Sequence, residues 1–387
     1  VWQAIGPVRE VQAGNDSRRR TAEAMREAFI QSLEPDLVHI PSLFEGFDQD
    51  AVLSIGRLDK TTPVSVTLHD LIPLLNPADY LENNPAFATY YRNKVDHLSR
   101  ASLLLAISNS SAQEAVDCLH VSPSKVINTS EAADPMFRRV DILPSEREEL
   151  LGRLHIRRPF ALYSGGGDER KNLPRLIEAY ARLSRDLRNR HQLVFAGRIP
   201  HGIVVDLQEK AREAGLEPEE LIFTGYVTDD ELVRLYNLCH LFVFPSWHEG
   251  FGLPALEAMA CGAPVIGSNS SSLPEVIGHP RALFSPLDIA DMAAKLQEVL
   301  EQDDLRTELT QHGAEHVQRF SWDMSARKAV SAWEALLADR DPATPFTRSS
   351  GRDGLVRNLA DEVHEWNKKA KSDLATGVSR NEQAGFT

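Results

Sequence analysis

One pattern constrains this chain more than any other. Short apolar runs, many of them β-branched, alternate with stretches of helical apolar spacing through the first 320 residues. Ten runs read as strands: Leu37–Ile40, Val64–Leu68, Leu103–Ile107, Lys125–Asn128, Phe160–Tyr163, Gln192–Ala196, Leu221–Thr224, Leu241–Phe244, Pro264–Gly267 and Ala282–Phe284. Helical stretches between them include Leu173–Ser184, Asp229–Cys239 and Ile289–Glu301. Strand, helix, strand in succession predicts parallel sheets, because parallel neighbours need a long crossover connection. Ten strands exceed one small sheet, and 387 residues suffice for two cores, so two doubly wound domains are expected. The boundary is placed in the charged, strand-poor stretch from Val140 to Arg158, giving domains of residues 1–145 and 146–322. A helix starting at Phe320–Ser321–Trp322 runs to about Leu337.

Composition removes several classes of function. A net charge of −14 gives no basic surface for nucleic acid. Cys118, Cys239 and Cys261 form neither a CxxC pair nor an even disulfide framework, which fits a reducing compartment and argues against structural zinc. No apolar run reaches the length of a membrane span, and no secretory signal is visible. The first residue is Val1, which leaves open that the chain is a piece of a longer one. From Ala338 the stretch ADRDPATPFTRSSGRDG reads as a linker across residues 339–387. Within it Leu355, Leu359, Val363 and Trp366 recur at helical spacing, either as a short docking helix or as a frayed one without a role.

The stretch HEGFGLPALEAMACG, His248 to Gly262, carries two glutamates eight residues apart across a glycine-rich turn and a helix start. Pro254 suits a first helical turn, and Gly250 and Gly252 let a ligand approach the backbone. Free amides and the positive end of the helix dipole favour an anion there. Glu249 and Glu257 border that anion site, where carboxylates are unwelcome unless they accept hydrogen bonds from hydroxyl groups. A nucleotide sugar satisfies both halves: diphosphate on the amides, one acid for the ribose and one for the sugar. Taken singly, each glutamate is most often a solvated surface residue, so the weight lies in the combination. Upstream, YSGGGDERKNLPRL places Arg170 and Lys171 after a glycine-rich strand end, where two cations would neutralise a diphosphate leaving group.

PSWHEGFGLPALEAMACGAPVIGSNSSSLPEVIG resembles the signature of the retaining GT-B glycosyltransferases of family 4, also called group 1. Its Glu, seven residues, Glu spacing is matched by Glu249 and Glu257, followed by Pro274–Glu275. The likeness spans about Val38 to Ala338 and is strongest from Phe160 to Gly278. It implies an α/β GT-B fold, two Rossmann-like parallel-sheet domains facing a cleft, with residues 323–338 crossing back to the N-terminal domain. It implies that Glu249 faces the transferred sugar, Glu257 holds the ribose, and Gly250, Phe251, Gly252 and Leu253 contact sugar and diphosphate. Gly165 and Gly166 join the donor site with Arg170 and Lys171; the family's arginine normally stands where this chain has Gly166. LIFTGYVTDDELVRLY resembles the base-reading segment, near Gly225, Tyr226 and Val227. SVTLHDLIPLLNP resembles a His-Asp-Leu-Ile-Pro segment of bacterial members, many of them mannosyltransferases, which carries a catalytic role to His69 and an orienting, acceptor-side role to Asp70. AISNSSAQEAV resembles a cleft turn and puts Ser108 on the acceptor side. Glu131 and Asp134 stand where the family has a Gly-x-Asp turn, without the glycine. The family's first strand and acceptor loop have no counterpart in VWQAIGPVRE, so the N-terminal sheet is expected to lack a strand.

The implied reaction moves a hexose, mannose before others, from a nucleoside diphosphate sugar such as GDP-mannose to a glycan or lipid-linked acceptor of polysaccharide or lipopolysaccharide biosynthesis. It needs no metal. Asp48-Gln49-Asp50 spells the Asp-x-Asp of metal-dependent transferases, but it reads as an acidic turn opening a helix. The expected setting is the cytoplasm, at the inner face of the plasma membrane or against neighbouring transferase domains. Two other readings stand beside this one: a non-catalytic nucleotide-sugar-binding domain of a larger assembly protein, and an epimerase or phosphorylase of the same architecture.

Overall fold

In a computed structural model of the chain, residues 8–9 and 16–339 are described, so the linker and the Leu355–Trp366 pattern lie outside the described residues. Among the described residues ten strands form: β1 Val38–Ile40, β2 Val64–Leu68, β3 Leu103–Ala106, β4 Val126–Asn128, β5 Phe160–Ser164, β6 Gln192–Ala196, β7 Leu221–Gly225, β8 Leu241–Phe244, β9 Val265–Ser268 and β10 Leu283–Phe284. Each coincides with an expected run, with ends moved by a residue or so. The chain divides into two compact units. The first takes the described residues through Ala106, then Ala112–Asn128, then Lys328 onward; the second takes Ile107–Ser111 and Thr129–Arg327.

The first unit holds a parallel sheet in the order β1-β2-β3-β4 among the described residues. Val66, Leu68, Leu104 and Ala106 form its buried centre. Ahead of β1 lies a helix, Asp16–Gln31, that buries Arg19, Glu23, Arg26 and Glu27. Buried charge is tolerable only when paired and hydrogen-bonded. Glu23 meets Arg57 at 3.0 Å and Arg19 at 3.3 Å. The Glu27 carboxylate accepts from the Ser54 hydroxyl at 2.6 Å and from the amides of Leu58 and Asp59 at 2.5 and 3.1 Å. The helix is therefore fastened to the loop before β2 by charge as well as by packing. The segment Asp48–Asp50 opens no helix, contrary to expectation. Asp50 instead accepts the Val8 amide at 2.9 Å and pairs with Arg9, so its carboxylate holds a distant backbone segment in place of a helix terminus. The Trp322–Ala338 helix enters this unit from Lys328 on, and Trp333 Nε1 donates to Ser65 Oγ on β2 at 2.9 Å.

The second unit holds a six-stranded parallel sheet in the order β10-β9-β8-β5-β6-β7. β5 and β6 are buried along their whole length, as are β8 and β9, and Tyr163, Phe195, Phe242 and Phe244 are among the largest fully buried side chains. Continuous burial is what strands covered by helices on both faces require. From β5 the chain winds outward through β6 and β7, then returns to pair β8 against the other side of β5, with Ala161 opposite Leu241. The order reverses there, and in an open α/β sheet ligands collect beyond the carboxyl ends of strands at such a reversal. The loops after β5 and β8 lie at that reversal.

Candidate functional site

After β5 the chain turns through Gly165, whose φ of 144° lies in the region glycine tolerates and where a Cβ would meet the Tyr163 hydroxyl at 2.7 Å. Tyr163 donates that hydroxyl to the Gly166 carbonyl at 2.8 Å, which fixes the loop from beneath. Gly166 itself faces open space, with nothing within 4 Å of the point a Cβ would occupy. A single turn, Glu169–Lys171, follows, capped by Asp168, whose Oδ1 accepts the Arg170 amide at 3.2 Å. Asn172 then takes a left-handed φ of 62° and starts the Leu173–Ala181 helix. It is 1% exposed, and its amide donates to the carbonyls of Pro245 and Pro286 at 3.0 and 2.7 Å. That one side chain therefore ties the loop after β5 to the loop after β8.

These ties bring Arg170, Lys171 and Glu249 together. Lys171 Nζ reaches Glu249 Oε1 at 2.6 Å, and Arg170 reaches Oε2 at 2.5 Å and the His248 carbonyl at 3.0 Å. Glu249 is 6% exposed. Burial pushes the Lys171 ammonium below its ordinary value, and the Glu249 carboxylate opposes that shift. Asp168 Oδ1 lies 3.5 Å from Arg170 Nε, so two cations are balanced by two carboxylates, and Glu249 is the one that touches both cations. A run of serines after β9 holds the Glu249 loop. Ser270 donates to the Trp247 carbonyl at 2.8 Å and Ser271 Oγ accepts the Glu249 amide at 2.9 Å. Ser272 donates to the carbonyls of Glu249 and Phe251 at 3.0 and 2.7 Å. A loop whose amides and carbonyls are already committed is preorganised for a ligand.

The Leu253–Ala260 helix begins at Gly252, whose φ is 106° and whose added Cβ would lie 2.6 Å from Leu273 Cδ2. Only glycine fits. Pro254 is in the first turn, and among the described residues the amides of Gly252 and Leu253 meet no protein acceptor. The helix dipole adds positive potential at that point. One turn on, Glu257 accepts from the Tyr236 hydroxyl at 3.2 Å, and Tyr236 also bonds Ser164 Oγ at 2.6 Å. Burial first, then the nearby Asp229 and Asp134, raises the Glu257 carboxyl to about 7, while the Tyr236 bond pulls the other way. This acid therefore exchanges its proton near neutrality.

Most of the expected donor-site residues gather in one place, and the others lie apart from them. Arg170, Lys171, Glu249, Gly165, Gly166, Gly250, Phe251, Gly252, Leu253 and Glu257 gather around the carboxyl ends of β5 and β8. Gly225 ends β7, and Tyr226 and Val227 follow it, with Tyr226 64% exposed and Val227 buried. Ser108 is 1% exposed, and its Oγ accepts the Ser111 amide at 2.9 Å as the cap of the Asn109–Leu119 helix. His69 and Asp70 belong to the first unit, beyond the end of β2. His69 is exposed with Nε2 3.2 Å from the Pro41 carbonyl, and Asp70 Oδ1 accepts the Ile72 amide at 3.0 Å. Asp134 bonds the Met136 amide at 2.9 Å, after a left-handed Ser130 with φ 67°. Sequence reasoning missed Asn172, Tyr236 and the three serines. The Asn-Leu-Pro and Ser-Ser-Ser-Leu-Pro strings mark Asn172 and the serines only as helix starts, since Asn and Ser before a Pro-led turn are ordinary caps, and Tyr236 carries no such signal. Among the described residues no group of three or more His, Cys, Asp or Glu is arranged to hold a metal ion, and no helix is long and apolar enough to cross a membrane.

Residues 147–316 match the family described as Glycosyl transferases group 1. The serotype-specific mannosyltransferase WbdA of Escherichia coli is 37% identical over 337 residues, which cover 87% of this chain and 41% of that protein. The chain thus spans about two-fifths of the length of that relative. The O-antigen chain mannosyltransferase B of Escherichia coli is 32% identical over 273 residues, 70% of each chain. Among solved structures, sucrose-phosphate synthase from Thermosynechococcus elongatus superposes with a TM-score of 0.66 at 20% identity, over 88% of this chain and 84% of that one.

Proposed function

Because the chain belongs to the group 1 glycosyl transferases, with the two parallel-sheet domains of GT-B enzymes, we propose that it transfers mannose from GDP-mannose to a glycan or lipid-linked acceptor in O-antigen-type polysaccharide assembly. The observation that carries this reading is the Arg170–Glu249–Lys171 cluster beside the start of the Leu253–Ala260 helix. A nucleoside diphosphate laid along the amides of Gly252 and Leu253 brings its terminal phosphate to the two cations. They stabilise the charge that develops as the bond from anomeric carbon to phosphate oxygen breaks. Glu249, held between them, presents carboxylate oxygens to the hydroxyls of the sugar, and Glu257 accepts from the ribose diol. The acceptor oxygen attacks on the face from which the diphosphate leaves, so the configuration is retained. Its proton passes to the departing phosphate. Arginine, lysine and helix amides supply the positive charge, and transfer proceeds unchanged in the presence of a chelator. The mannosyl assignment follows the relatives' activities, and a membrane-associated acceptor places the enzyme at the inner face of the plasma membrane.

The test is acceptor-dependent release of GDP from GDP-mannose by the purified protein, with a mannose-terminated, lipid-linked oligosaccharide as acceptor. Lys171→Ala is expected to lower that rate by about a hundredfold or more, the usual effect of removing one group that stabilises a developing oxyanion. Tight nucleotide binding with no release on any acceptor would instead identify a non-catalytic binding domain.

A further inference from the structure

Resting on the nucleotide site above, we infer that Arg198 reads the base of the donor and selects guanine. Arg198 follows Gly197 at the end of β6, and Tyr226 follows Gly225 at the end of β7. The Gly197 amide donates to the Gly225 carbonyl at 3.1 Å, which sets the next residues side by side. Both glycines need their freedom. Gly197 has φ 128°, and a Cβ there would lie 2.5 Å from the Gly165 carbonyl oxygen, so β6 leaves the sheet against the glycine loop of β5. Gly225 has φ 69° and opens onto free space.

The Arg198 guanidinium carbon lies 5.0 Å from the centroid of the Tyr226 ring. Contact with an aromatic face restricts a guanidinium plane that would otherwise sweep through many rotamers. Both side chains are exposed, and among the described residues Arg198 has no ion pair or hydrogen-bond acceptor. A braced cation with its N–H fork unmatched, beside an exposed aromatic ring, is a half-built recognition site. Its distance from the ribose site is short along the chain. Asp229, three residues after Tyr226, is close enough to raise the Glu257 carboxyl, and Tyr236 of the Asp229–Leu238 helix bonds Glu257 directly. A nucleoside whose ribose diol sits on Glu257 therefore places its base toward the loop that carries Tyr226.

Base chemistry then decides. Guanine presents two adjacent acceptors, N7 and O6, which match the fork of an arginine. Adenine puts a donor beside N7, and uracil offers a single carbonyl on that edge. An arginine preset on an aromatic ring favours guanine over both.

The experiment is calorimetric titration of GDP, inosine diphosphate, 7-deaza-GDP, ADP and UDP into the full chain and into Arg198→Ala. In the wild type, GDP and inosine diphosphate are expected to bind alike, and 7-deaza-GDP, which lacks the N7 acceptor, about tenfold more weakly. Arg198→Ala is expected to lose about tenfold for GDP and to leave UDP within twofold. Circular dichroism shows whether that surface variant is folded, and Arg198→Lys, which keeps the charge without the fork, is expected to behave as the alanine variant does. Equal losses for GDP and UDP, or a wild type that prefers UDP, would overturn the inference while leaving the nucleotide site standing. A wild type that binds none of the five would instead remove the nucleotide site on which the inference rests.

Discussion

Glu257 is the residue whose state is most exposed to measurement. Its folded value of about 7 stands above its ordinary carboxyl value of 4.5. The sign is the reverse of a salt-bridged acid: the free protein carries a penalty above pH 7 that fades as the proton returns and is gone below the unfolded value. Holding two ribose hydroxyls requires the ionised form, so nucleotide affinity should fall as pH drops through 7, and binding near neutrality should release protons. Calorimetry in buffers of different ionisation enthalpy checks both. Glu257→Gln should flatten the profile, weaken the nucleotide at pH 8 and raise the denaturation temperature of the free protein at that pH. A profile unchanged by that substitution would detach Glu257 from the ribose. Lys171 and Arg170 are a different case. A buried charged cluster loses several kcal/mol when one member is left unpaired, so Glu249→Ala, which strands Lys171 and leaves Arg170 only Asp168 and the His248 carbonyl, should cost stability as well as transfer. Lys171→Ala leaves Glu249 its arginine and separates the two effects.

The elements were legible where a period or a cap was written locally. The ten strands of the described residues lie where short apolar runs sit between helical stretches, and burial along the whole length of β3, β5, β6, β8 and β9 requires that composition. The predicted helix from Leu173 to Ser184 ends at Ala181 because Ser184 caps a separate helix, accepting the Leu187 amide at 3.2 Å. Asp48–Asp50 looked like a helix start, and the distant Val8 amide and Arg9 side chain, 42 and 41 residues away, explain the Asp50 carboxylate. The same holds at the site. The glycine turn, the paired cations and the two glutamates could be read from spacing. Asn172 could not, since its partners at Pro245 and Pro286 lie 73 and 114 residues on. Asn172→Ala keeps the left-handed φ without the side chain that tolerates it, and leaves two buried carbonyls unmatched. A loss of about 3 kcal/mol in urea denaturation is expected. Gly252→Ala drives a methyl into Leu273 and should lower stability by about 2 kcal/mol while weakening nucleotide binding.

At the scale of the molecule, every residue assigned to diphosphate and ribose lies in the second unit, from Gly165 to Glu257. Trp333 belongs to the first, donating to Ser65 and lying 5.1 Å, ring to ring, from His39. Trp333→Ala should therefore lower the unfolding temperature and leave GDP affinity within twofold, a separation that differential scanning calorimetry and titration calorimetry resolve together. Most direct of all is a crystal structure of the chain with GDP. The diphosphate should lie within hydrogen-bonding distance of Lys171 and of the Gly252 and Leu253 amides, with the ribose diol on Glu257. Density for the diphosphate anywhere else, with Glu257 turned to solvent and the Arg170–Glu249–Lys171 cluster untouched, would contradict the account.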